Sequence, residues 1–292
     1  MIPSDLISCS VRDAWRVREA HFPLQVRFVR PHKTAAISVT GASCALRCAH
    51  CDGRYLRGMM PLSSADVRDA RSCLISGGCD LQGRVPLLPH LPQIAALRAG
   101  RRLNWHVGLA DEETIRAIAP YADVVSFDIV GDDATIHEVY GLSATAADYW
   151  RTYDLLRRYV PMVVPHITIG LRGGHISGEH AALAELQRRG VEIVVYLVLI
   201  PTRGTAYAEC APPSPETVGD VLAAARCALP ETALYLGCMR PGGSYRDRVD
   251  AVALRAGVNA IVNPAPSAVA LAAELGLRVV WDDECCVFEN VK

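Results

Sequence analysis

The chain carries almost no net charge: 30 lysines and arginines stand against 31 aspartates and glutamates, a formal balance of −1. That excludes the strongly basic field expected of a protein whose partner is a nucleic acid or another polyanion. The chain has no apolar stretch approaching the roughly 18 residues that begin to read as a membrane span. Its N-terminus, Met1-Ile-Pro-Ser-Asp5, lacks the charged-then-apolar pattern of a signal peptide. No internal repeat and no low-complexity linker interrupts it. The expectation is a soluble, cytoplasmic protein with neither a nucleic-acid nor a membrane partner. What it does have is length: 292 residues, 51% of them hydrophobic, suffice for one large domain with a sizeable core.

It also has 11 cysteines, an odd number. Disulfides persist only in oxidising compartments, and nothing points there. Metal sites plus ordinary buried thiols are the better account. Cys44, Cys48 and Cys51 stand in the run Thr40-Gly-Ala-Ser-Cys-Ala-Leu-Arg-Cys-Ala-His-Cys-Asp52, a C-x3-C-x2-C spacing. Three thiolates on one short loop suit iron–sulfur clusters or zinc. Zinc would ask for a fourth protein ligand, and His50 is crowded between Cys48 and Cys51. A four-iron cluster held by three thiolates keeps one iron open, which is what activation of a small ligand needs.

Short apolar runs alternate with longer helical patterns from residue 35 almost to the end. Strands are expected at 35–40, 72–76, 103–108, 123–129, 162–169, 192–199, 233–238 and 259–263, with a further apolar run at 278–281. Helical segments lie between them near 64–71, 90–99, 111–119, 133–139, 145–159, 178–189, 215–228, 245–256 and 267–275. Such alternation argues for an α/β fold with a parallel sheet and right-handed crossovers. A closed (β/α)8 TIM-like barrel over 34–292 is the first expectation, and a partial (β/α)6 barrel with a C-terminal extension the alternative. Residues 1–33 read as an N-terminal extension contributing to the barrel mouth, and the C-terminal segment carries cysteines.

Parallel barrels gather function at the C-terminal ends of their strands. The unusual residues fall there: the triad after the first strand, Ser76-Gly77-Gly78 after the second, His106 at the third, Ser126 and Asp128 at the fourth. Thr168 closes the fifth, and Cys238-Met-Arg240 the seventh. Each has a plainer reading. Gly77-Gly78 is also an ordinary tight turn, His106 a core histidine, and Arg240 half of a salt bridge. Asp128, a charge inside an apolar run, is expensive unless paired.

With this cysteine spacing after a first strand and a Gly-Gly turn after the second, the chain resembles the radical S-adenosylmethionine (SAM) superfamily. The resemblance implies a 4Fe-4S cluster on Cys44, Cys48 and Cys51, with SAM chelating the open iron. It implies a ferredoxin or flavodoxin as electron donor, and a 5′-deoxyadenosyl radical that abstracts hydrogen from substrate. It places Ser76, Gly77 and Gly78 at the SAM amino group, although Cys79 and Asp80 stand where an acidic third residue is usual. His50 occupies the place of an aromatic residue near the adenine. Asp128 suits the ribose, with Ser126, His106 and Thr168 as further SAM contacts.

The second half is similar to biotin synthase and its relatives through Leu199-Ile-Pro-Thr-Arg-Gly-Thr205 and Leu236-Gly-Cys-Met-Arg-Pro-Gly-Gly243. The overall pattern is most like a component of the two-protein lipoyl synthase. That would make Cys9, Cys238, Cys285 and Cys286 ligands of a second, auxiliary 4Fe-4S cluster that donates sulfur to an octanoyl chain. Arg240 would act beside cluster or substrate. An octanoylated carrier protein or lipoyl domain and a sibling radical SAM protein would be the partners. Other biotin synthase-like chemistries (methylase, mutase, cofactor maturase) are the alternative. A non-catalytic zinc or iron–sulfur protein stands behind both.

Overall fold

The computed structural model describes residues 9–288; of the expected N-terminal extension, residues 1–8 lie outside them. The chain divides into two compact units. One comprises the residues up to Pro31 with His166–Arg203 and Tyr207–Asp282; the other comprises His32–Pro165, Gly204–Ala206 and the residues from Asp283.

The first unit is built on strands β1 (Gln25–Val29), β7 (Val163–Ile169), β8 (Ile193–Val198), β9 (Ala233–Leu236), β10 (Ala260–Val262) and β11 (Arg278–Asp282), in the order β7-β8-β9-β10-β1-β11. All of these pairings are parallel. Its helices are α1 (Val11–His21), α5 (Glu179–Arg189), α6 (Pro215–Ala228), α7 (Gly243–Arg255) and α8 (Pro266–Glu274). Residues 11–29 hold a helix and a strand paired on both sides. The β1 register pairs Phe28 with Ile261 on one side and Trp281 on the other. Val26, Phe28 and Val29 are buried, while Arg27 reaches Asp282 at 3.2 Å and lies over the Tyr235 ring.

The second unit holds β2 (Thr34–Ser38), β3 (Met60–Pro61), β4 (Ser72–Ser76), β5 (Arg102–Trp105) and β6 (Val124–Asp128), in the order β6-β5-β4-β2-β3, again all parallel. Helices α2 (Leu91–Leu97), α3 (Glu112–Ile118) and α4 (Ala146–Tyr159) follow the strands. Two of these starts carry side-chain caps: Asp111 caps α3 by accepting from the Thr114 amide, and Thr145 with Asp148 forms a capping box on α4. The expected helix at 64–71 is absent; that stretch holds only the 3-10 turn Leu62–Ser64. The α/β alternation stands, with five strands in this unit and six in the other rather than eight in all. Among the described residues no helix is long and apolar enough to cross a membrane.

One buried cation organises the end of α6. Arg226, fully buried, donates to the carbonyls of Leu229, Pro230, Thr232 and Gly257 and to Asn259 Oδ1. Those carbonyls include groups that the end of α6 would otherwise leave unpaired. Arg226→Met should therefore cost roughly 3 kcal/mol, because buried acceptors lose their donors. The urea midpoint checks this; an unchanged midpoint would contradict it.

Candidate active site

Because the strands of the second unit are parallel, the segments following β2, β4, β5 and β6 all leave one edge of its sheet. The cysteine triad lies on the first. Ser38 Oγ donates to the Gly41 carbonyl at 2.6 Å, turning the chain out of β2, and Gly41 takes the left-handed φ of 61°. The Ser43 amide returns to the Thr40 carbonyl at 3.2 Å. Further on, the amides of Cys51 and Asp52 both donate to the Cys48 carbonyl, at 3.2 and 2.9 Å. Asp52 and Gly53 follow with positive φ, 43° and 69°. These turns keep Cys48 and Cys51 close enough to hydrogen-bond through sulfur. That bond, with His50 assisting, holds the Cys51 thiol well below its ordinary value and pushes Cys48 up. A thiolate is thus favoured on this loop, which is the ligand form.

The Gly77-Gly78 turn after β4 is welded to this loop. Thr40 Oγ1 donates to the Ser43 carbonyl at 2.8 Å and accepts from the Gly78 amide at 2.7 Å. The Ala45 amide donates to the Cys79 carbonyl at 2.8 Å. A Cβ on Gly78 would stand 2.0 Å from the Ser43 carbonyl oxygen and 2.6 Å from Cys44 Cα. A side chain is excluded there by contact with the cysteine loop itself, which goes beyond what an ordinary tight turn requires. Ser76, the last residue of β4, pairs with Ser38, and its carbonyl accepts from the Val39 amide.

Behind the triad lies a cavity of about 90 Å³ whose lining includes Cys79, His106, Ser126, Asp128, Tyr140 and Tyr149. Desolvation pushes the His106 imidazole down to about 4 and the Cys79 thiol up to about 12. Ser126 is buried and donates from both its amide and its hydroxyl to Asn104 Oδ1, so its hydroxyl hydrogen is already committed. Asp128 is exposed at the end of β6; burial raises the neighbouring Cys79, Tyr140 and Tyr149, and the Asp128 charge adds to that rise. His50 sits between the rings of Tyr55 and Tyr140, at 6.0 and 5.6 Å, and its Nδ1 is buried without a hydrogen-bond partner.

The groups fit a cluster with SAM. The donors are soft thiols, the glycine turn packs by its backbone against the cysteine loop, and a buried imidazole nitrogen of His50 has no hydrogen-bond partner. Among the described residues no three His, Cys, Asp or Glu side chains converge where a single metal ion would sit. A cluster spreads its ligands over several irons.

Within the first unit the two candidates for the auxiliary set, Cys9 and Cys238, stand apart. Cys9 is bonded to Cys227, near the end of α6 that feeds the start of β9, whereas Cys238 is exposed beyond the end of β9. The Cys285 amide donates to Thr34 Oγ1, and Asn104 Nδ2 to Cys285 Sγ at 3.7 Å. Thr34 in turn hydrogen-bonds Ser72, so Cys285 sits at the first residues of β2 and β4, the edge opposite the triad. Cys286 beside it is buried. Arg240 is corrected as well: it is 1% exposed and held by Asp250 at 2.7 Å. The carbonyls of Gly237, Val262 and Asn263 take its remaining donors. It closes a buried network. Thr168 lies in β7 of the first unit, opposite Leu197.

Sequence reasoning passed over Tyr140 and Tyr149, which line the cavity; their spacing carries no motif. Tyr140 ends a π-helical stretch, Ile136–Tyr140, whose Val139 carbonyl accepts from the Ala49 amide of the cysteine loop. π-turns frequently mark functional sites.

No protein-family model matches the chain, and no curated protein matches it in sequence. Solved structures do match in fold. A methylornithine synthase, PylB, superposes with a TM-score of 0.61 over 94% of this chain and 88% of its own, at 14% identity. HydG, a maturase of the FeFe-hydrogenase, superposes with a TM-score of 0.65 over 96% of this chain and 69% of its own, also at 14% identity. The HydG of Carboxydothermus hydrogenoformans gives 0.66 over 92% and 71%, again at 14% identity. The α/β barrel-type fold expected from the sequence is thereby shown.

Two outcomes follow. Gly78→Ala should lower iron uptake several-fold with unchanged far-ultraviolet circular dichroism, because its methyl displaces the cysteine loop. Uptake equal to the wild type would contradict the contact. The His106 value lies below the 6.5 of a free imidazole, so the unfolded chain binds the proton first. Stability is full above 6.5 and declines as pH falls toward 4, by up to about 3 kcal/mol. In His106→Gln the difference between urea midpoints at neutral and acid pH should shrink accordingly.

Proposed function

We propose that the protein is a radical SAM enzyme that holds one 4Fe-4S cluster on Cys44, Cys48 and Cys51 and removes hydrogen from an unactivated carbon. The observation that carries the reading is the packing of Gly78 against Cys44, with the Thr40 hydroxyl bridging the two loops. It sets three thiols and a backbone-only surface side by side, as a cluster with a small chelating ligand requires. Bound there, the cluster and SAM supply one-electron cleavage and a carbon radical; the protein supplies orientation and seclusion.

The chain's own residues then have definite tasks. Cys44, Cys48 and Cys51 hold iron. Gly78, lacking a side chain, lets the turn lie against Cys44, with its amide held by the Thr40 hydroxyl. Asp128, exposed at the end of β6, presents a carboxylate able to accept hydrogen bonds from a sugar. The buried rings of Phe127 and Tyr149 exclude water from the cavity, where side reactions of a radical would otherwise occur. His106, neutral above about 4, presents an uncharged imidazole there.

Sulfur insertion into an octanoyl chain needs a second cluster as sulfur source. Cys9 is in a disulfide with Cys227, apart from Cys238 in the same unit, so we take the alternative: a biotin synthase-like enzyme of the mutase, methylase or maturase kind. The fold likeness to a methylornithine synthase and to hydrogenase maturases supports this class. A one-electron donor of ferredoxin or flavodoxin type completes the reading. The octanoylated carrier and the sibling enzyme belong to the sulfur-insertion reading.

After anaerobic reconstitution the protein should contain about four irons, and the Cys44/Cys48/Cys51→Ala variant none. With dithionite and SAM only the former should release 5′-deoxyadenosine. Zinc in place of iron, or a cluster that leaves SAM intact, would overturn the reading. About eight irons would restore sulfur insertion.

A further inference from the structure

The turn after β4 reads Gly77-Gly78-Cys79-Asp80, and its acidic residue is already spent. Asp80 Oδ1 accepts from the amides of Gln82 and Arg84, each at 2.9 Å, and Oδ2 accepts from Arg84 Nε at 3.0 Å. This carboxylate builds its own loop. Cys79 is placed differently. Its carbonyl takes the Ala45 amide and lies 3.9 Å from Cys44 Sγ, and the Gly78 backbone before it is pressed onto Cys44. Its thiol lines the cavity behind the triad and lies within electrostatic reach of Cys44, Cys48 and Cys51. Cys79 therefore stands directly beside the loop that carries the three thiols, a further cysteine that the C-x3-C-x2-C spacing does not include.

We infer that Cys79 is a reversible fourth thiolate, capping the open iron of the cluster until SAM displaces it. This rests on the radical SAM reading above. A four-iron cluster has one site per iron, and four cysteines saturate it. In binding, the thiol passes its proton to solvent and forms an iron–sulfur bond, since a coordinating metal deprotonates a thiol outright. On arrival of SAM that bond breaks, the amino and carboxylate groups take the iron, and the thiolate recovers a proton. No electron is transferred in either direction. The cap shields the most labile iron of the resting enzyme, and SAM binding bears the cost of displacing it.

The test uses the full chain, anaerobically reconstituted, as wild type and Cys79→Ala. Mild oxidation without SAM should convert several-fold more of the variant to the three-iron form, read by its electron paramagnetic resonance signal. Equal conversion would overturn the cap. A second readout needs no variant. Mössbauer spectra of the SAM-free wild type should show no chemically distinct iron, and adding SAM should create one. A distinct iron present before SAM would overturn the proposal even if Cys79→Ala failed to fold. Failure of the cap alone leaves a cluster that still cleaves SAM. A wild type that binds no iron overturns the cap together with the reading beneath it.

Discussion

The close approach of Gly78 to Cys44 is the constraint on which the candidate site depends. No residue with a Cβ fits there, because the Ser43 carbonyl and the Cys44 backbone fill the space. Through it the loop after β2 and the turn after β4 become one rigid body, clamped by a single hydroxyl, Thr40. The thiols are thereby positioned by backbone hydrogen bonds and steric contact rather than by long flexible side chains. A site that must receive a multi-iron cluster gains from such preorganisation.

The second constraint is direction. All strands of the second unit run parallel, so one edge of its sheet carries the triad and the opposite edge carries Cys285. Cysteines are distributed along the chain without regard to that polarity, and only those on the same edge can share a cofactor. In the first unit Arg240, beyond β9, turns inward to Asp250, and its guanidinium is consumed by a carboxylate and three carbonyls.

Much of this was legible beforehand. β4 and α6 lie where apolar runs and the Ser214-Pro215 start signal place them, and the triad and Gly-Gly turn are motifs with a physical reason. β1 was not legible, because Arg27 interrupts Gln25-Val-Arg-Phe-Val29 and its partner Asp282 is 255 residues away. α1 buries little besides Ala14 and Arg18, so it shows no apolar stripe. The edge on which Cys285 stands is a tertiary fact without local trace. Cys79 was visible as a departure from the acidic pattern. Its closeness to the triad, and the engagement of Asp80 by Arg84, emerge only in three dimensions.

The central claim is that Cys44, Cys48 and Cys51 hold a cluster with an iron available to SAM. Electron–nuclear double resonance on the reduced protein, mixed with SAM isotopically labelled at its amino nitrogen, tests it most directly. The account predicts a strong hyperfine coupling between that nitrogen and the cluster, lost together with the cluster signal when the three cysteines are replaced. SAM bound to a reduced cluster without coupling would contradict it.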